Sequence, residues 1–201
     1  MKSIEDKMLS KIYGYGKGYA FSSSDFIQDF SINNIDKALS TLTKQNKIRR
    51  IARGLYDYPK YSEFLKQDLN ADIDQAARAI ARKFNWQIEI SGESALNLLG
   101  LSTQVPAKYI YLSNGPNRVY MIQDTMNLEF KKSALKNIGF KYKESSIIVQ
   151  ALKSLGKENI TNDTISKIKA YVDPKFYEKI LADTKTATTW IYEIIKIICQ
   201  K

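Results

Sequence analysis

Apolar and polar residues alternate with two different periods along this chain, and the changes of period mark its elements. Residues 4–13 read as a helix that stops at the glycine-rich turn Gly14, Gly16, Gly18. Tyr19-Ala20-Phe21 is a short run of strand type. Ser22 and Asp25 stand at capping-box spacing, which predicts a second helix over residues 22–29. A third helix is better marked. Asn33 is its expected cap, and Asp36 lies in the first turn, where the helix dipole favours an anion. Ile35, Ala38, Leu39 and Leu42 form one apolar stripe that should face a core. The opposite face carries Asn34, Lys37, Ser40, Thr41 and Lys44, all hydrogen-bond donors and none acidic.

Residues 47–60, KIRRIARGLYDYPK, follow that helix directly. They alternate apolar with cationic side chains, pivot at Arg53-Gly54 and leave through Leu55, Tyr56 and Tyr58, which is the pattern of a basic hairpin. A helix sized for a major groove followed by such a hairpin predicts a winged helix-turn-helix over residues 1–60. The stretch after Pro59 is polar and aperiodic and predicts an interdomain linker over residues 61–71. Beyond it Ile73, Ala76, Ala77, Ile80, Ala81 and Phe84 share one helical face. Residues 86–90, 109–112 and 118–122 alternate like strands, with a turn at Asn114-Gly115-Pro116 and a further short strand at 128–130. Helical spacing then returns over 145–155, 162–171, 174–183 and 187–199. The expected fold class is therefore α+β: the winged helix-turn-helix, the linker, and a C-terminal α+β domain over residues 72–201 built of a small sheet followed by helices.

Charge changes the picture more than composition does. Hydrophobic residues at 44% and charged residues at 26% are ordinary for a globular protein, but the net charge is +10. The first sixty residues hold eleven Lys or Arg against six acids, half of that excess in under a third of the chain. Such a concentration favours a polyanionic partner. The chain has no histidine, which removes the commonest general base and the usual zinc ligand. Its single cysteine, Cys199, makes no internal disulfide and no cysteine metal site, and reads as a small buried hydrophobe of the last helix. A reducing cytoplasmic setting is expected, with no cofactor and no metal. The N-terminus is charged at once and carries no apolar signal core. The most apolar run, residues 190–199, is interrupted by Glu193 and Lys196 and is too short to span a bilayer, so no membrane association is expected.

The candidate chemistry is recognition of DNA rather than catalysis. On the third helix Asn34 suits adenine, Lys37 suits guanine, and Thr41 can reach a base or a phosphate, with Ser40 and Lys44 beside them. Arg49, Arg50 and Arg53 of the hairpin are placed to grip phosphate oxygens. Gly14, Gly16 and Gly18 lack a following Gly-Lys-Ser/Thr and a preceding strand, so they make a connector and no phosphate loop. Glu129-Phe130-Lys131 has the E-x-K form of metal-dependent nucleases, but only Glu93 or Asp124 is available as the further acid, and a strand-end ion pair explains it as well. Lys131, Lys132, Lys136, Lys141 and Lys143 form a second basic cluster, equally open to nucleic-acid contact and to simple solvation. No enzyme activity is expected.

These motifs also carry a resemblance. KIRRIARGLYDYPK, SGESALNLLGLSTQVPAK at residues 91–108 and YIYLSNGPNR at 109–118 resemble, in order and spacing, the AbiEi-like antitoxins of bacterial abortive-infection, or type IV, toxin–antitoxin systems. The resemblance covers about residues 1–160 and leaves the final helices unmatched. It implies a repressor that binds double-stranded DNA at its own promoter, usually at inverted repeats. It further implies a C-terminal domain that counters a nucleotidyltransferase-like toxin without a stable complex, in a protein that is a monomer or weak homodimer. Lys37, Thr41, Arg49, Arg50 and Arg53 would then be operator contacts, and no residue is assigned to antitoxicity. The long middle motif is mostly core and turn material: Leu96, Leu98, Leu99 and Leu101 pack, Gly100 caps a helix, and Gln104-Val105-Pro106 begins an extended segment. Ser102, Thr103 and Gln104 are its polar exceptions. The competing reading is a stand-alone winged-helix transcription factor whose C-terminal domain senses a ligand or dimerises.

Overall fold

Residues 3–102, 108–133 and 139–200 are described by a computed structural model, and they are a mixture of helices and small antiparallel sheets, an α+β fold. Thr103, Gln104 and Lys136 lie outside the described residues. Two compact units make up the chain, Met1–Trp86 with Val119–Leu128, and Gln87–Arg118 with Glu129–Lys201.

In the first unit, helix α1 (Ile4–Tyr15) is closed at its start by Ser3, whose hydroxyl accepts from the Asp6 N–H at 3.1 Å. The expected second helix shrinks to one 3-10 turn, Ser23–Phe26. Its capping pair is present, the Ser22 N–H donating to the Asp25 carboxylate at 2.8 Å. Helix α2 (Ile32–Lys44) starts one residue before the expected cap: Ser31 is extended and takes the cap position, so Asn33 lies inside the first turn. The stripe Ile35, Ala38, Leu39 and Leu42 is buried with Met8, Ile12, Phe21, Phe26 and Ile48 in one apolar core. Burial of that stripe is what holds α2, since a thirteen-residue helix is marginal on its own. Strand β1 (Ala20–Phe21) pairs with β3 (Leu55–Asp57), which pairs with β2 (Arg49–Ala52), both antiparallel, giving the sheet order β1-β3-β2.

The stretch expected to be a linker is a hairpin instead. Strands β4 (Tyr61–Ser62) and β5 (Gln67–Asp68) pair antiparallel, and the Leu69 N–H donates to the Lys60 carbonyl at 2.7 Å. Most of its side chains are exposed, Phe64 at 93%, so it has no buried face to impose an alternating pattern on the sequence. Nor does the boundary fall there. Helix α3 (Ile73–Phe84), expected in the C-terminal domain, belongs to the first unit, where its Ala- and Ile-rich face packs on β1 and the 3-10 turn. Arg82 secures it: its guanidinium meets Asp25 at 2.8 Å, donates to the Ala20 carbonyl at 2.7 Å and lies 4.9 Å from the Tyr19 ring.

Strands β6 (Ile88–Ile90), β7 (Tyr109–Ser113), β8 (Arg118–Ile122) and β9 (Met126–Lys132) form a sheet in the order β6-β7-β9-β8. The expected strand at 128–130 is thus longer than its alternation reveals. The β8–β9 turn counts with the first unit. Gln123 and Asp124 both have positive φ there, as a tight hairpin needs. The Gln123 N–H donates to the Ile51 carbonyl at 2.8 Å, and its side-chain oxygen accepts from the Ala71 N–H at 2.6 Å.

In the second unit, helix α4 (Gly92–Leu98) ends in a Schellman turn: Gly100 takes φ +64°, its N–H donates to Asn97, and the Leu101 N–H donates to Leu96. Only Leu99 of the four expected core leucines is fully buried, the others being half-buried. Helices α5 (Lys143–Leu155), α6 (Asn162–Tyr171), α7 (Tyr177–Asp183) and α8 (Thr189–Ile198) follow, with a separate 3-10 turn at Pro174–Phe176 where a continuous helix was expected. Ile147, Ala151, Ile168, Ile180 and Ile195 are fully buried among them. Glu89 is buried on β6 and accepts from the Ser146 hydroxyl, from Gln150 and from the Gly139 N–H. Cys199 is buried, and burial pushes its thiol up to about 11. No helix among the described residues is long and apolar enough to cross a membrane.

Candidate nucleic-acid interface

The α2 stripe that builds the core leaves the other face of the helix outward. Asn33, Asn34, Lys37, Ser40 and Lys44 are exposed, and Thr41 is half-buried at the margin. Past the helix and its cap residue Gln45, Asn46 takes φ 54°. Its N–H donates to Thr43, and the Lys47 N–H donates to Leu42, both at 3.0 Å. This asparagine-closed turn reverses the chain, buries Ile48 and leaves Lys47 exposed between helix and hairpin.

The β2–β3 hairpin turns at Arg53-Gly54, and Gly54 has φ +69°, a left-handed conformation that disfavours any side chain. Its pairing is irregular. Ala52 faces Leu55, but a bulge then shifts the register so that Arg50 faces Tyr56 and Arg49 faces Asp57.

That shift separates the three arginines. Arg49 grips Asp57 with two nitrogens, at 3.0 and 2.6 Å, and its third donates to the Leu69 carbonyl at 2.9 Å. The Asp57 side chain is 2% exposed, and its burial, opposed by Arg49, leaves its carboxyl raised above the usual range. Three of its five N–H groups are thus engaged within the protein and its charge is met by Asp57, so the structure gives Arg49 a structural role that the sequence did not predict beside the phosphate contact expected of it. Arg50 and Arg53 are exposed; Arg50 makes one long contact of 3.4 Å with the Ala52 carbonyl. Among the described residues, no acid pairs with Lys37, Lys44, Lys47, Arg50 or Arg53 within 4.0 Å.

One cation reaches this surface from outside the sequence motif. Lys83, exposed in the last turn of α3, holds its Nζ 3.2 Å from the point that a Cβ on Gly54 would occupy. Pattern reading had no means to find it, because the motif and α3 were expected in different domains.

The nuclease-like tripeptide contains one half of an ion pair. Glu129 pairs with Lys108 at 2.9 Å, and that ammonium holds its carboxyl below the usual range. Among the described residues no three His, Cys, Asp or Glu side chains gather where a metal ion could sit. In the second basic cluster Lys131, Lys132 and Lys141 are exposed and Lys143 is half-buried. Acids stand close to part of it: Asp183 accepts the N–H groups of Lys141 and Tyr142 at 3.1 and 3.0 Å.

The chain is thus an α+β protein whose N-terminal unit presents, on one helix and one hairpin, cations that have no acidic partner among the described residues. Residues 7–180 match the family of unknown function DUF6088, and the chain belongs to that family. No curated protein matches it. Among solved structures, the RV2827C protein from Mycobacterium tuberculosis is similar at a TM-score of 0.40 and 10% identity, over 96% of this chain and 76% of that one.

Proposed function

We propose that the N-terminal elements form a winged helix-turn-helix that binds double-stranded DNA, with α2 in the major groove and the β2–β3 hairpin as the wing. The observation that carries this reading is the set of exposed cations Lys37, Lys44, Lys47, Arg50 and Arg53, without acidic partners among the described residues, on one helix face and the hairpin after it. Ordinary surface lysines are interspersed with acids, and here only Asp36 stands nearby on the exposed face of α2. Asn34, Lys37, Ser40 and Thr41 read base edges or the flanking backbone, while Lys44, Lys47, Arg50 and Arg53 neutralise phosphates. Those four neutralised phosphates give a log–log salt slope of roughly −3 to −4.

The motifs shared with AbiEi-like antitoxins support the fuller reading. The protein represses its own operon and, through its second unit, counters a nucleotidyltransferase-like toxin. Fluorescence anisotropy on labelled DNA from upstream of its own gene, titrated against a scrambled duplex at several salt concentrations, tests the DNA reading. The expected result is a salt-dependent preference for the native duplex of about a hundredfold (~3 kcal/mol). Equal or absent binding removes the repressor. The antitoxin reading is tested by co-expression with the product of the adjacent gene, and growth no better than with the toxin alone ends it.

A further inference from the structure

We infer that Lys83, on the last turn of α3, is a phosphate-binding residue of the wing, supplying a third cation beside Arg50 and Arg53. The inference rests on the DNA-binding reading above and deepens it. Three observations carry it. First, the ammonium lies at the wing tip, 3.2 Å from where a Gly54 Cβ would stand, so Gly54 leaves room for it. Second, Lys83 is exposed and, among the described residues, has no acidic partner; its ammonium lies 5.5 Å from the centroid of the neighbouring Phe84 ring. Third, α3 is not free to carry it elsewhere, because its neighbour Arg82 is tied to Asp25 and to the Ala20 carbonyl.

A lysine in a last helical turn is favoured by the helix dipole wherever it points. That preference accounts for a cation at this end of α3 and does not account for its place over the hairpin turn. With the Arg49 charge met by Asp57, Arg50 and Arg53 are the wing arginines without an acidic partner among the described residues. Lys83 restores the third positive charge from a different element. The ligand is a DNA phosphodiester next to the one gripped by Arg53. The contact is a point charge without sequence information, since a lysine at the backbone reads no base.

The test is anisotropy with the full chain on the upstream duplex and on a scrambled one, across a salt series, for wild type, Lys83→Ala, Lys83→Arg and a control in the second unit, the exposed Lys185→Ala. Lys83→Ala is expected to weaken both duplexes several-fold and by the same factor. It should also flatten the salt slope by about 0.9, the loss of one phosphate. Lys83→Arg should restore the slope, and Lys185→Ala should match wild type. A structural role in propping the hairpin would lower the melting temperature or the discrimination between duplexes and leave the slope unchanged. Wild-type binding with a steep slope that Lys83→Ala retains overturns the Lys83 assignment and spares the DNA reading. No binding by wild type overturns both.

Discussion

Arg49 and Arg50 are neighbours of the same residue type with opposite roles, and the bulge in β2 decides which is which. Had the register continued unbroken from Ala52 opposite Leu55, Arg50 would face Asp57. The one-residue shift brings Arg49 there instead and turns Arg50 outward. Arg49→Ala should therefore act on stability. It strands a buried carboxylate and costs about 3 kcal/mol, on the order of 10 °C in melting temperature for a chain of this size. Arg50→Ala should leave the melt unchanged and weaken DNA binding. Thermal denaturation of the two variants separates these outcomes, and equal melting temperatures would refute the division. Asp57 adds a pH signature. Because its carboxyl is raised in the folded protein, the native state keeps a proton that the unfolded chain has released. Stability from this group is greatest below the ordinary carboxylate value and falls as pH rises from there through the raised value. Asp57→Asn should remove that slope from urea melts taken as pH rises from the ordinary carboxylate range.

At the scale of elements, close approach between helices and the free face of α2 are the quantities that matter. A Cβ on Gly92, in the first turn of α4, would lie 2.6 Å from the Ser154 Cβ and 3.1 Å from the Gln150 carbonyl of α5. Gly92→Ala should destabilise by about 1–3 kcal/mol through overpacking, visible in a denaturant midpoint. An unshifted midpoint would mean that the two helices separate freely. On α2, Lys37 is one turn in from the N-terminus and Lys44 is in the last turn, so on the proposed DNA-binding reading Lys37 would meet a base edge and Lys44 the backbone. Lys37→Ala should reduce the preference for the native duplex over a scrambled one by about 1–3 kcal/mol. If both duplexes weaken equally, Lys37 is a phosphate contact.

For the whole molecule, the division of the chain sets what can stand alone. A fragment ending at residue 60 lacks α3, with the Arg82–Asp25 pair, and the Gln123 turn that bonds Ile51 and Ala71. It should show a much lower, less cooperative melt by circular dichroism than one of residues 1–86, and that fragment in turn less stability than the full chain, since it too lacks Gln123. A fragment of residues 1–60 as stable as the longer one would restore the earlier boundary. The excess charge belongs to this scale as well. At a net +10, non-specific attraction to DNA is expected at low salt whatever α2 reads, so discrimination has to be measured near physiological ionic strength.

Local interactions wrote much of the architecture into the sequence. The α2 stripe, the Ser22–Asp25 cap, the glycine at the hairpin turn, the Gly100 helix stop and the final helices all depend on residues within a few positions of one another, so periodicity and turn chemistry expose them. The crowding of cations between Lys37 and Arg53 is legible for the same reason. The hairpin at β4–β5 escaped because it buries no face, and the true partner of α3 escaped because an amphipathic stripe does not say what it packs against. Which cations stay free was decided only in three dimensions. A bulge of one residue pairs Arg49 with Asp57, and the docking of α3 brings Lys83 to Gly54. A charge is visible in the sequence, but its neutralisation depends on which distant acid, carbonyl or turn the fold brings within hydrogen-bonding reach.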